Sequence, residues 1–387
     1  MKANKKASLA SIFATVFIDL LGFGILIPIL PTFGTNVLKI NEFQIGIAIA
    51  IYSIAQFIFN PLLGLLSDRF GRKKIIIFTL FLSSLSYVIF SFTTTYWQLL
   101  FSRAIGGIGG GNIGAAQAYI ADITTKEERA KGMGLIGAAF GLGFIFGPLL
   151  GAILINYGYF AIGIAAASLA MISLLYSIFF LKESKPDFNS NQINFKIRYP
   201  IFDITKLEKE ILILMFVYFI ITFSIANIFG TFALLSSIVF NFSESENGLF
   251  YAMMGIAGVF SQTVLLRILK SFFTENKIVA FSSLTMAFGL AMFPFGANFF
   301  LMSSITIIYS IGSGLLQPVL LAMISKKISE HKMGSILGIN QSLSALARIL
   351  GPLWGGFSFN YIGYRIPFFT GSFFMILLIV FIIKKLD

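Results

Sequence analysis

The chain has 387 residues, 57% of them hydrophobic and only 11% charged, with a net charge of +12 and a mean hydropathy of +0.90. A soluble domain is nearer a quarter charged, so one water-soluble core is excluded. Cysteine is absent and His331 is the one histidine, which excludes disulfide frameworks, thiolate metal sites and cysteine nucleophiles.

Apolar runs of 18 or more residues recur along the whole length. They are continuous, unlike the ten-residue alternation of barrel strands, and read as spanning helices. Twelve spans are predicted, at about 8–32, 43–63, 75–94, 97–120, 132–155, 160–181, 209–232, 246–266, 278–296, 298–324, 334–358 and 362–383. The first run leads straight into further spans, so no cleavable signal is expected. The termini, the loops at 64–74, 121–131, 182–208, 267–277 and 325–333, and the adjoining Lys209 carry 24 of the 28 Lys and Arg. The opposite loops carry Lys39 and Arg365, so both termini are expected on the cytoplasmic side of the cell membrane. The membrane therefore accounts for the charge, and no nucleic-acid partner is expected. Nothing resembles a phosphate loop, because the Gly106–Gly114 run lies within a span and lacks the Lys-Ser/Thr ending. Neither ATP hydrolysis, enzyme activity nor a cofactor is expected.

The first span reads Ile18-Asp19-Leu20-Leu21-Gly22-Phe23-Gly24-Ile25-Leu26-Ile27-Pro28-Ile29-Leu30-Pro31. Asp19 is the only acid near mid-membrane, about 16 Å from the cytoplasmic end at the helical rise. A lone carboxylate there is costly, so it must face a cavity or pair. Proton coupling and a structural hydrogen bond to a neighbouring helix both remain open.

Between the second and third spans runs Gly64-Leu65-Leu66-Ser67-Asp68-Arg69-Phe70-Gly71-Arg72-Lys73-Lys74. One acid, four bases and two glycines in eleven residues cannot lie in hydrocarbon. Asp68 is placed to cap the N-terminus of a neighbouring helix. Arg72 is placed to pair with Asp122, beyond the fourth span, and Gly64 to let the second span approach a partner closely. Together they would latch the cytoplasmic side, although topology alone also explains such a loop.

The fourth span contains Arg103, followed by Gly106-Gly107-Ile108-Gly109, about 9 Å below the outer surface. Its side chain reaches either toward Asp19 or, snorkelling, toward the interface. Asp122 and Arg129 lie in the loop that follows. The fifth span carries Gly143-Phe-Ile-Phe-Gly147-Pro148-Leu-Leu-Gly151. Glycines four apart make one smooth face for backbone packing, and Pro148 permits a bend.

The polar segment 182–208 reads as a linker between an N-terminal bundle, 1–181, and a C-terminal bundle, 209–387. Six residues recur at a shift of 204: Gly134, Gly147, Pro148, Gly151, Asn156 and Tyr157 match Gly338, Gly351, Pro352, Gly355, Asn360 and Tyr361. The basic loop is degraded in the second copy, so the first should carry the gate. Polar residues within spans are candidates for a substrate cavity: Gln56, Asn112, Gln117, Asn227, Gln317, Asn340, Gln341 and Arg348, with Tyr52 as an aromatic neighbour.

The 64–74 loop resembles the signature between the second and third helices of the major facilitator superfamily. The glycine-proline pattern of the fifth span resembles its proton-driven exporters. The first span and the Ala121–Ala130 loop resemble the twelve-span drug/proton antiporters, the tetracycline exporters above all. The resemblance implies an all-α polytopic membrane protein of two pseudo-symmetric six-helix bundles, with substrate binding between them. It implies that Asp19 and Arg103 couple protons, that Gly64, Asp68, Arg69, Gly71, Arg72, Asp122 and Arg129 gate the cytoplasmic side, and that export of a small amphipathic compound is proton-driven. A monomer in the lipid bilayer, with protons and a small molecule as its partners, is expected. The second half departs from the tetracycline exporters: 278–296 has no charge and 246–266 no histidine, while Arg348 adds a second arginine within the spans. An anionic metabolite or lipid is therefore an alternative substrate, and a non-transporting sensor a more remote reading.

Overall fold

The computed structural model describes residues 2–184, 208–327 and 333–385, apart from the side chains of 2–7, 126–131, 333–338 and 381–385. His331 and most of the linker lie outside the described residues. Those described form helices and no strand: α1 (Lys2–Asn36), α2 (Glu42–Phe70), α3 (Arg72–Ser91), α4 (Tyr96–Gly109), α5 (Asn112–Ile123), α6 (Lys126–Leu154), α7 (Tyr159–Phe180), α8 (Lys209–Leu234), α9 (Glu244–Phe260), α10 (Leu266–Phe272), α11 (Glu275–Met292), α12 (Phe299–Lys326), α13 (Met333–Tyr361) and α14 (Ile366–Lys385). Nine helical runs among the described residues are long and apolar enough to cross a membrane, and Ile366–Val380 is a shorter apolar helix. With α13 and the pair α4–α5 they make the twelve expected crossings.

The fourth crossing differs from its expected single span. It breaks at Gly110–Gly111, between α4 and α5. Apolar periodicity runs through this stretch, but three consecutive glycines supply no side chain to hold one regular turn. Gly111 N–H donates to Ile108 O at 3.1 Å, tightening the turn. The crossing starts at a capping box, in which Thr95 accepts from Gln98 N–H and Gln98 accepts from Thr95 N–H.

Contacts group the chain into two compact units: residues 1–27 with 51–200, and residues 28–50 with 201–387. The end of α1 and the start of α2 thus belong with α8–α14. In the first unit, α3 lies between α4 and α7. Ile12, Val16 and Leu20 of α1, about one turn apart, join Leu80, Tyr119, Ile120 and Ala139 in one core. Small hydroxyls tie the helices: Ser173 donates to Thr15 O at 2.8 Å, and Ser84 to Ala167 O at 3.2 Å. With lipid as apolar as the core, such packing and hydrogen bonding hold membrane helices together.

The second unit has an aromatic centre. Phe232 meets Phe293 at 5.0 Å between ring centroids and Tyr251 at 5.5 Å, both edge-on. The Asn227 amide donates to Pro367 O at 2.7 Å, fixing α8 to α14. The start of α2 packs on α13: a Cβ added at Gly46 would collide with Pro352 O, and one at Gly356 with Glu42 O. Phe43 stacks edge-on against Phe357 at 5.9 Å.

Candidate functional site

The buried carboxyl of the first unit is built by three helices. Asp19 is 5% exposed and Asn112, the first residue of α5, 1%. The Asn112 amide Nδ2 donates to Asp19 Oδ2 at 2.6 Å. Asp19 Oδ1 and Asn112 Oδ1 are buried without a hydrogen-bond partner. Ser83 of α3 also lies within interaction range of the carboxyl.

The glycines of α6 explain how α1 is held there. A Cβ on Gly143 would come 2.8 Å from the Leu20 Cβ, one on Gly147 2.6 Å from the Gly24 Cα, and one on Gly151 3.0 Å from Ile25 O. The glycine face of the fifth span therefore grips the α1 stretch immediately after Asp19, with Pro148 buried beside it.

Arg103 does not form an ion pair with Asp19. Its guanidinium lies over the Tyr52 ring, 4.6 Å from the centroid, and its Nε is buried without a hydrogen-bond partner. It is 5% exposed, so it does not snorkel to the surface. Stacking on an aromatic face suits a planar, weakly hydrated guanidinium. Gly106, Gly107 and Gly110 leave room for this arrangement, packing against Ser86 and Tyr52. Gln56 Nε2 donates to Gly110 O at 3.1 Å, bonding α2 to the break.

At the basic end of the same unit, Arg72 is 6% exposed. It donates through Nε to Asp122 Oδ2 at 3.1 Å and through Nη1 to Ser67 Oγ at 2.5 Å, and it pairs with Asp68 one turn back. The Arg72–Asp122 pair is the one that residue order predicts. The helix cap is different. Asp68 is committed to Arg72, and the N-terminus of α3 is capped by Glu183: Arg72 N–H donates to Oε1 at 2.9 Å and Lys73 N–H to Oε2 at 3.2 Å. Gly71 stands at φ +98° with that carboxylate against it, a position that favours glycine. Ser184 Oγ donates to Asp122 Oδ2 at 3.0 Å, and Lys73 Nζ to Ile178 O at 2.7 Å. Glu183 and Ser184 are absent from the sequence reading, and Ser67 enters it only as a member of the loop, with no role of its own. The available signal was an acid just past an apolar span, on the side of the basic loop.

Other candidates fall outside these clusters. A Cβ on Gly64 meets nothing within 4 Å, so no close helix approach requires that glycine here. Arg69 is exposed, with its guanidinium 5.3 Å from the Phe70 ring centroid. The Arg129 side chain lies outside the described residues. Gln117 and Gln341 are exposed and Gln317 is half-buried. Asn227 is interhelical glue, and Asn340 is fully buried with neither amide atom partnered. Arg348 is half-buried within electrostatic range of Tyr218. Among the described residues no three His, Cys, Asp or Glu side chains are grouped to hold a metal.

Comparison with known proteins agrees with this architecture. The model of the Major Facilitator Superfamily matches residues 12–352 and 273–386. Multidrug resistance protein 2 of Bacillus subtilis (strain 168) is 31% identical over 380 residues, covering 96% of this chain and 94% of that relative. The class C tetracycline resistance protein of Escherichia coli is 30% identical over 357 residues, covering 91% and 89%. Among solved structures, a point mutant of the nucleoside transporter NupG superposes with a TM-score of 0.80 at 15% identity, covering 98% of this chain and 100% of that one.

Proposed function

The chain belongs to the major facilitator superfamily, and from that premise we propose that it is a proton-coupled exporter of small amphipathic compounds. The observation that carries the reading is Asp19: a buried carboxyl in a membrane helix, bonded through one oxygen and bare at the other. Intramembrane acids are costly and are kept where ions or protons move. The multidrug and tetracycline resistance relatives support a drug as cargo.

In the proposed cycle the protein acts as a monomer in the cell membrane, with both termini cytoplasmic and the sequence halves 1–181 and 209–387 rocking about the substrate. Substrate enters from the cytoplasm or inner leaflet. The network around Arg72 locks the cytoplasmic side while the carrier faces outward. Protonation of Asp19 from outside displaces substrate and permits return. Antiport follows if proton and substrate favour different states of one equilibrium. Arg103 acts on the cavity through Tyr52, and Gly143, Gly147 and Gly151 keep the Asp19 stretch in place.

The test is export into everted vesicles of cationic, neutral and anionic amphiphiles, before and after collapse of the proton gradient. Accumulation that vanishes with the gradient is expected. Accumulation indifferent to it would overturn proton coupling. The second reading, an anionic metabolite carrier, is favoured by half-buried Arg348. Replacing Arg348 by Ala would then abolish affinity for anions, and a drug exporter would keep its cationic substrates.

A further inference from the structure

Two of the orphaned polar atoms in this protein belong to one bonded pair. Asn112 Nδ2 donates to Asp19 Oδ2 at 2.6 Å, while Asp19 Oδ1 and Asn112 Oδ1 are both buried and unpartnered. Two acceptor oxygens cannot satisfy each other. One proton added to the carboxyl turns its bare oxygen into a donor. A carboxylic acid and a primary amide that already share one N–H···O bond are complementary in the second, O–H···O=C, which closes an eight-membered ring.

Resting on the reading of Asp19 as the coupling carboxyl, we propose that Asn112 is its positioning residue: protonation closes a two-bond acid–amide ring that ties α1 to the first turn of α5. The balance is simple. A proton from water forms an O–H bond with a lone pair of Asp19 Oδ1, the carboxylate becomes neutral, and the amide is unchanged. Release to the other side reverses the step. Asn112, a cavity candidate by its polarity in the sequence, is 1% exposed and bonded to Asp19.

The position of Asn112 makes the ring consequential. It follows Gly110–Gly111 directly, where the fourth crossing breaks. The other side of the break is held by Gln56 on Gly110 O and by Tyr52, which carries Arg103. Tightening α5 onto α1 therefore pulls on two α2 side chains named above as candidate cavity residues. The side chains that act on the Asp19 carboxyl are Asn112 from α5 and Ser83 from α3, and Tyr87 of α3 lies within electrostatic range of Asp19 as well as of Tyr52 on α2 and Arg103 on α4. On the α1 residues that follow Asp19, Gly143 and Gly147 of α6 pack against Leu20 and Gly24, and Ala166 of α7 packs on Gly22, none of them bringing a charged group. Asp19 Oδ1 has no hydrogen-bond partner; Ser83 already has a hydroxyl to donate, so Asn112 Oδ1, itself unpartnered, is the acceptor left for the added proton.

The experiment is infrared difference spectroscopy, low against high pH, on the full-length protein in lipid nanodiscs. Wild type, Asp19→Asn, Asn112→Leu and Asn112→Ala are compared. In the wild type we expect a protonated-carboxyl band at the low wavenumber of a hydrogen-bonded acid, with a simultaneous shift of an asparagine side-chain band. Asp19→Asn removes both. In Asn112→Leu the acid band moves to higher wavenumber and the amide signal disappears; Asn112→Ala provides the same loss of amide signal should the leucine variant fail to fold. Asp19 protonation that leaves every side-chain amide band unmoved in the wild type, or an acid band unshifted in Asn112→Leu, would overturn the ring alone. No Asp19-dependent band in the wild type would overturn the ring together with the coupling reading beneath it.

Discussion

The crossing of α1 with α6 and that of α8 with α13 are built from the same repeated glycines, and they are used differently. In the first, Gly147 and Gly151 meet the backbone at Gly24 and Ile25, glycine on backbone with no side chain between. In the second, their counterparts Gly351 and Gly355 meet Ala226, Asn227 and Thr231, and α13 takes α2 on Gly356 as well. The polar group beside the first crossing is Asp19, a carboxyl that accepts from Asn112; beside the second it is Asn227, a neutral amide that donates to Pro367 O, and each keeps one buried oxygen without a partner. The packing glycines recur in both crossings, but the buried acid does not: the second crossing has Arg348 on α13 and Tyr218 on α8 instead. One crossing holds a titratable group in place, while the other ties three helices together.

The comparison can be broken most severely at Gly147. Gly147→Leu forces a side chain into the Gly24 backbone, 2.6 Å from where its Cβ would stand. We expect a loss of about 3 kcal/mol or more, or no folded protein at all, read by melting in detergent. Gly351→Ala, with its Cβ 2.8 Å from Asn227 N, should cost about 1–3 kcal/mol. Asn227→Leu should cost a similar amount by stranding Pro367 O, and it should leave the proton-to-substrate ratio unchanged in vesicles. An altered ratio would place chemistry in the second crossing. Glu183→Gln weakens the cap on α3 and should cost about 1 kcal/mol, with a several-fold slower export rate and unchanged substrate affinity. Gly134→Ala marks the bottom of the scale. Nothing lies within 4 Å of its Cβ, so stability should hold or rise by up to about 1 kcal/mol.

Much of this was legible in the residues. Hydropathy places most of the crossings, because water-free surroundings demand long apolar runs; nine of the described helical runs are long and apolar enough to cross. The Arg72–Asp122 pair follows from two opposite charges at neighbouring helix ends on one side of the membrane. The glycine face of α6 was legible as a face, though its partner was not, since spacing states that a backbone can come close without saying which. The break at Gly110–Gly111 was hidden because apolar character continues through it. Glu183 was hidden because, two residues beyond the last apolar run, it reads as linker. The bond of Asn112 to Asp19 was hidden because polarity in a span has two causes, water and a buried partner, and the sequence does not name the partner.

The central claim is that Asp19 carries the proton that drives export. It is tested by reconstituting wild type and Asp19→Asn in vesicles containing a pH-sensitive dye and adding substrate under an imposed proton gradient. The account predicts substrate-triggered proton flux in the wild type and none in Asp19→Asn, with that variant still able to bind substrate. Equal proton flux in both would contradict it.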